Sequence, residues 1–352
     1  MAARSSGGLR EAGPYDHERA SRCAIGRRFL LRVLAGGLLV VPCSVLPQPS
    51  GRLRRVGYLD QGSAAGSRPY VDAFRQGMRE LGWIEGENLE LLFRFADGVT
   101  DALPRLAGDL VREKVHLIVT WSTPAALAAK HASKTIPIVI GFTADPVGSG
   151  IVASLARPGG NVTGWTHVGL ELRAKYLDLL KEAVPDAKRV GVLWNPSNQV
   201  HKPSLQVLEA AAHRLDVQLE LAGVSDPEKL DGTFTNLAAR GVQGLIVFPD
   251  GMFVAQKARI IALAARERLP ALYGIREYAQ AGGLLFYGAD LAEMQRRVGA
   301  TLADKILKGA RPAELPVERP TRFELVVNQK TARALGLTLP QSLLLQANEV
   351  IQ

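Results

Sequence analysis

Cysteine is almost missing from this chain: among 352 residues only Cys23 and Cys43 carry a thiol. Both fall within the first 50 residues, so the rest has no disulfide, no thiolate nucleophile and no cysteine metal site. Such a body is compatible with an oxidising compartment. The six histidines form no HExxH pair, and GxSxG, P-loop and GxGxxG motifs are absent. The glycine-rich "GSAAG" (62–66) lacks the spacing that packs a dinucleotide pyrophosphate. No cofactor and no metal are expected. Aromatic residues make up only 6%.

A basic surface is also missing, despite a formal charge of +9. Of the 43 basic and 34 acidic residues, ten and three lie in residues 1–55, so most of the excess belongs to the leader. The remainder is close to neutral, which argues against a nucleic-acid partner. The leader, "SRCAIGRRFLLRVLAGGLLVVPCSVLPQPSGR", is a basic flank followed by an apolar stretch and small residues. It reads as an export signal. Its apolar core is shorter than the roughly 20 residues that a spanning helix needs. Val-Val-Pro before Cys43 is a poor lipid-attachment box, because a small residue normally precedes the modified Cys.

From Arg55 onward, short apolar runs alternate with helical periodicity. "VGYLD", "NLELLFRFA", "LIVTW" and "IPIVIGF" read as strands, with amphipathic segments between them. A second series contains "RVGVLW", "VQLELA", "GLIVFP" and "PALYG". Near-continuous apolar strands joined by helices predict parallel sheets covered on both faces. "IPIVIGFTADPVGSG" and "LPALYGIREYAQAGG" fall at equivalent places, a faint internal repeat that predicts two similar α/β lobes. The expected division is a leader over 1–54, one lobe over 55–163 plus 288–352, and a second over 164–287. "FELVVN" (323–328) is assigned to the first lobe. Residues 147–156 read as a helix, with "VTG" (162–164) leading to the other lobe. Chain crossings are expected near 162–168, 286–289 and 316–322.

In open α/β sheets ligands sit beyond the carboxyl ends of the strands. Polar and aromatic residues at those ends are the candidates: Gln61 and Ser63; Ser122 and Thr123; Thr143 and Asp145; Asn195; Asp250; Tyr273 and Arg276; Tyr287 and Asp290. Ser122 and Thr123 open a helix, where free N–H groups suit a carboxylate. The aspartates could balance an ammonium. Each could equally cap its own helix, and Trp121 and Trp165 could equally be packing residues. His167 is the one histidine near the presumed cleft.

Several stretches together resemble a known family: "FRQGMRELGWIEGENLELLFRFADG", "HLIVTWSTPAALAAK", "TIPIVIGFTADPVGSGIVASLARPGGNVTG" and "LLKEAVPDAKRVGVLWNPSN". They are similar to ABC-transporter substrate-binding proteins of the tryptophan/tyrosine type, exported proteins of the type I periplasmic binding fold. The resemblance spans Arg55 to Gln352. It implies two Rossmann-like lobes with parallel sheets, a three-crossover hinge, a ligand held between closing lobes, and delivery to the transmembrane subunits of a permease. By position it carries ligand contact to Ser122, Thr123, Thr143, Asp145, Asn195, Asp250 and Asp290. The chain departs from the family where "YGIREY" replaces a frequent Ser-Asp pair and where Leu291 follows Asp290. Arg276 would then meet a second anionic group.

The expectation is a monomeric, non-enzymatic solute-binding protein for an amino-acid-like or organic-acid ligand. Two other classes are a sensor that presents the ligand to a membrane receptor, and a hydrolase with Asp145 or Asp250 as base.

Overall fold

The computed structural model describes residues 53–167, 170 and 172–352; the expected export signal, Cys23 and Cys43 lie outside the described residues. The described body contains two sheets. The first comprises β1 (Arg54–Asp60), β2 (Leu89–Phe95), β3 (Leu117–Trp121), β4 (Ile138–Thr143) and β5 (Val162–Thr166), parallel throughout in the order β2-β1-β3-β4-β5. Helices α1 (Ala64–Glu80), α2 (Leu103–Arg112) and α3 (Thr123–Ala132) connect its strands. Every residue of β3 is buried, as an apolar strand between two helical layers must be.

After β5 the chain enters the second lobe through α4 (Leu172–Ala183). There β6 (Arg189–Trp194), α5 (His201–Arg214), β7 (Gln218–Gly223), α6 (Leu230–Ala239) and β8 (Gly244–Val247) follow. Next come α7 (Gly251–Ala255), α8 (Lys257–Arg266), β9 (Ala271–Tyr273), α9 (Arg276–Gln280) and β10 (Leu285–Gly288). The chain then returns to the first lobe as α10 (Leu291–Met294), a π-helical turn Gln295–Gly299 and α11 (Ala300–Leu307). Packing on α1 is close enough that a Cβ at Gly77 would sit 2.1 Å from the Arg296 carbonyl oxygen, so only glycine fits there.

The tail goes elsewhere than expected. β11 (Glu324–Asn328) pairs antiparallel with β10, followed by α12 (Gln329–Ala334), α13 (Gln341–Gln346) and β12 (Glu349–Ile351). The second sheet therefore runs β12-β11-β10-β9-β8-β6-β7, and "FELVVN" belongs to it rather than to the first lobe. The cause is burial on both faces. Leu325 and Val327 enter the second lobe's core, while Val326 packs with Ala279 and Phe286. The preceding connection does touch the first lobe, where Val317 N–H donates to Leu155 and Thr166 N–H to Glu318. It then leaves for β11.

Two further expectations change. Residues 162–166 form an edge strand, β5, not merely a path to the other lobe; Gly164, at φ +142°, lies against Ile140, where a Cβ would come 2.1 Å from the carbonyl oxygen. Residues 147–156 form turns and bends, not a helix. Pro146, Gly148 and Gly150 (φ +70°) favour turns over a continuous helix. The three connections between lobes lie between β5 and α4, between β10 and α10, and before β11, close to the expected crossings. Among the described residues no helix is long and apolar enough to cross a membrane.

Candidate ligand-binding site

The carboxyl ends of the parallel strands of both lobes converge on one tightly closed cavity of about 10 Å³. That is about the room one water molecule takes, so a solute can enter only when the lobes part. Ser122, Thr123, Phe142, Ala144 and His167 line it from the first lobe; Arg173, Asn198, Val200, His201, Pro249 and Asp250 line it from the second.

The first-lobe wall is strained. Ser122 caps α3, accepting from Ala125 N–H at 3.3 Å, but does so at φ +111°. Thr123 Oγ1 accepts from Ala144 N–H, also at 3.3 Å. The β4–β5 register breaks between Ile140 and Thr143, and Phe142 sits at φ +49° inside that irregularity. A bulky residue in this region is a true outlier, and bulges commonly re-aim side chains next to binding sites. Here Phe142 joins a run of buried rings. Its centroid is 5.3 Å from Trp121 and 4.7 Å from His167, and Trp121 stacks on Tyr70 at 4.2 Å.

The second-lobe wall is a closed hydrogen-bond network. Asp250 caps α7 and accepts from Met252 N–H at 2.9 Å and Asn195 Nδ2 at 3.1 Å on one oxygen. Its other oxygen accepts from Asn198 Nδ2 at 2.9 Å. His201 Nδ1 accepts from Asn195 N–H at 2.9 Å, which leaves the proton on Nε2, 3.2 Å from the Pro249 carbonyl. Burial pushes the His201 imidazole down to about 4, opposed by the Asp250 charge. It is neutral at pH 7.

Arg173 stands apart. It is 3% exposed, with its guanidinium 4.8 Å from the Phe248 ring and 5.0 Å from Tyr176. Among the described residues it pairs with no carboxylate, and its Nε meets no acceptor. Beside it, both ring nitrogens of His167 are buried without partners. Burial first, and the Arg173 charge second, push His167 down to about 3.

A second unpaired charge lies at the end of β1. Asp60 is fully buried; Oδ1 accepts from Gly62 N–H at 2.6 Å and Oδ2 has no partner. Burial raises it to about 7, against the pull of the Gly62 N–H.

Of the twelve sequence candidates, Ser122, Thr123 and Asp250 line the cavity, and Asn195 supports it by holding Asp250. Gln61 is buried nearby, its Nε2 on Thr100 at 2.9 Å and its side chain against Gly251. Thr143 lies under the wall, its hydroxyl on Gly141 and its carbonyl accepting from Thr166. The rest are placed in structural roles. Ser63 caps α1, Asp290 caps α10, and Asp145 accepts from Gly148 N–H at 2.8 Å in the 145–150 turn. Tyr273 is stacked on Tyr278 at 4.5 Å in the core, and Tyr287 packs near Phe323. Arg276 is bound by Glu324 and Glu349, which corrects its assignment to a ligand anion. Arg173 and His201 were missed. "ELRAKY" has the look of an ordinary solvated helix start, while "NPSNQVH" already placed two amides and a histidine after a strand. Among the described residues no group of three or more His, Cys, Asp or Glu could hold a metal ion.

Two α/β lobes, three connections and a small cavity between facing strand ends define a solute-binding protein of the type I periplasmic fold. The family model described as "ABC transporter substrate binding protein" matches residues 64–351, and the chain belongs to that family. It is therefore the substrate-binding protein of an ABC transporter. A tyrosine-binding protein from Clostridioides difficile (strain R20291) is 28% identical over 274 residues, 76% of this chain and 78% of that one. The L-Trp complex of an ABC domain from Streptococcus pneumonia is 25% identical, with a TM-score of 0.78 over 85% of this chain and 100% of that one. A ligand-free, open substrate-binding protein with adhesive properties from Clostridium difficile has the same identity and coverage but a TM-score of 0.59. The higher likeness to the liganded structure agrees with lobes drawn together here: Tyr70 Oη of α1 donates to Glu277 of α9 at 2.7 Å across the cleft.

Proposed function

We propose that this chain is the exported, periplasmic binding component of an importer, taking an amino acid or small organic acid in the interlobe cleft. The observation that carries this reading is the single cavity shared by the α3 N-terminus and the Asp250–Asn198–His201 face. Neither lobe completes the site alone, so ligand contact is greatest when the lobes are closed. A ligand that binds the closed form better shifts the population toward it, and no other coupling is required. The closed form would then be recognised by the permease's transmembrane subunits, with the binding protein acting as a monomer.

The protein is proposed to catalyse nothing. Asp250 accepts three hydrogen bonds from N–H groups, and Asp145 caps a turn, so neither is arranged as a general base. The relatives' amino-acid ligands support amino acids as the first solutes to try. Thermal shift and calorimetry against amino acids and small carboxylic acids test the reading. A rise in Tm with at least one of them is expected. No binding across the panel would overturn it.

A further inference from the structure

We propose that Arg173 selects the solute: it donates to a carboxylate of the ligand and joins it across the cleft to the N-terminus of α3. The inference rests on the solute-binding reading above and names the charge that the solute must carry.

The argument begins with what an arginine can do when buried. It does not deprotonate inside a protein. Leaving a buried cation without a counter-charge is strongly destabilising. The faces of Tyr176 and Phe248 soften that cost, since each ring presents negative density to the guanidinium. They do not replace an anion, since neither ring carries a charge. The guanidinium Nε is buried without an acceptor, and a planar guanidinium suits a carboxylate.

Among the described residues no neighbouring group offers the missing charge. Asp250 shares the cavity, but its oxygens are taken by Asn195, Asn198 and the Met252 N–H. His167 and His201 are neutral, so they neither supply a counter-ion nor add further positive charge. Across the cavity, Ser122 and Thr123 open the ten-residue helix α3, whose first N–H groups and dipole also favour an anion. An anion in this cavity is therefore drawn by one lobe's helix end and by the other lobe's arginine. Only the closed arrangement satisfies both, which makes the carboxylate the part of the solute that closes the cleft.

The test uses isothermal calorimetry on purified protein with matched pairs: L-tryptophan with its amide, L-tyrosine with its amide, and phenylacetate with phenylacetamide. For any pair that binds, the carboxylate is expected to bind at least about tenfold tighter than the amide, as a hydrogen bond to a charged group implies. Arg173→Met should erase most of that ratio, and Arg173→Lys should retain part of it. An unchanged ratio in a folded Arg173→Met protein, or a wild type that prefers the amides, overturns the proposal. The second result needs no variant, so misfolding cannot mask it. Binding of neutral solutes only would overturn Arg173's role and leave solute binding standing; no binding of any solute would remove both.

Discussion

The two faces of the cleft each bury one charge that the described residues leave unpaired, and they handle it differently. Asp60, on the first lobe, carries a group that can be neutralised by a proton, and its rise to about 7 is that response. Arg173, on the second lobe, has no such exit, because a guanidinium keeps its proton at any ordinary pH. The surroundings differ in the same sense. Around Asp60, Gln61 Oε1 and the Tyr58 hydroxyl are buried without partners. Around Arg173, the Asn195–Asp250–Asn198–His201 network is closed on itself. The first face can adjust; the second is preorganised and lacks only an anion.

The largest effect expected from breaking this contrast is in pH dependence. Asp60 moves from an ordinary 3.8 to about 7 on folding, so its favourable contribution is complete below pH 4 and is lost as pH rises through 7. At about 1.4 kcal/mol per pKa unit this amounts to about 4 kcal/mol. His167 and His201 act in the opposite direction, since both are held neutral and the unfolded chain takes up their protons below about pH 6.5. Asp60→Asn should expose the histidine slope alone, with stability rising from pH 4 to 6.5 and then level. Urea melts across pH 4–8 measure it, and an unchanged profile would refute the Asp60 assignment.

Next in size is Asp250→Ala. It strands the amides of Asn195 and Asn198 and uncaps α7, so a loss of about 2–4 kcal/mol in stability is expected by denaturant melts. Binding should weaken as well, since the wall is no longer fixed. Arg173→Met is expected to do the reverse to stability. Removing an unpaired buried charge should raise the stability of the ligand-free protein by about 1–3 kcal/mol while the preference for carboxylate solutes is lost. A variant that loses stability and keeps the carboxylate preference would contradict the contrast between the two charges.

Smaller effects come from the caps. Ser122→Ala should cost about 1 kcal/mol through loss of the α3 cap, with a several-fold weaker Kd for an acid. Asp290→Ala should cost about as much in stability and leave the Kd within about twofold, because Asp290 caps α10 and lines no part of the cavity. Calorimetry on both variants separates a cap at the site from a cap away from it.

Much of the fold was readable because it depends on local patterns. The runs "LIVTW" and "RVGVLW" coincide with β3 and β6 residue for residue. What failed depended on distant partners. β11 is placed by pairing with β10 across a long connection, and no local feature says which sheet receives it. Arg276 looked available until Glu324 and Glu349 arrived from 48 and 73 residues away. Ser122, Thr123 and Asp250 were legible because strand ends and helix starts build such sites in open sheets. Arg173 was not, because its significance lies in its burial between Tyr176 and Phe248, and nothing in "ELRAKY" announces burial.

A crystal structure with the tightest-binding carboxylate is the most direct test of the account. The carboxylate oxygens should lie about 2.7–3.1 Å from the Arg173 guanidinium nitrogens on one side and from Ser122 or the α3 N–H groups on the other. A ligand whose carboxylate points to solvent, with Arg173 still unpaired, would contradict it.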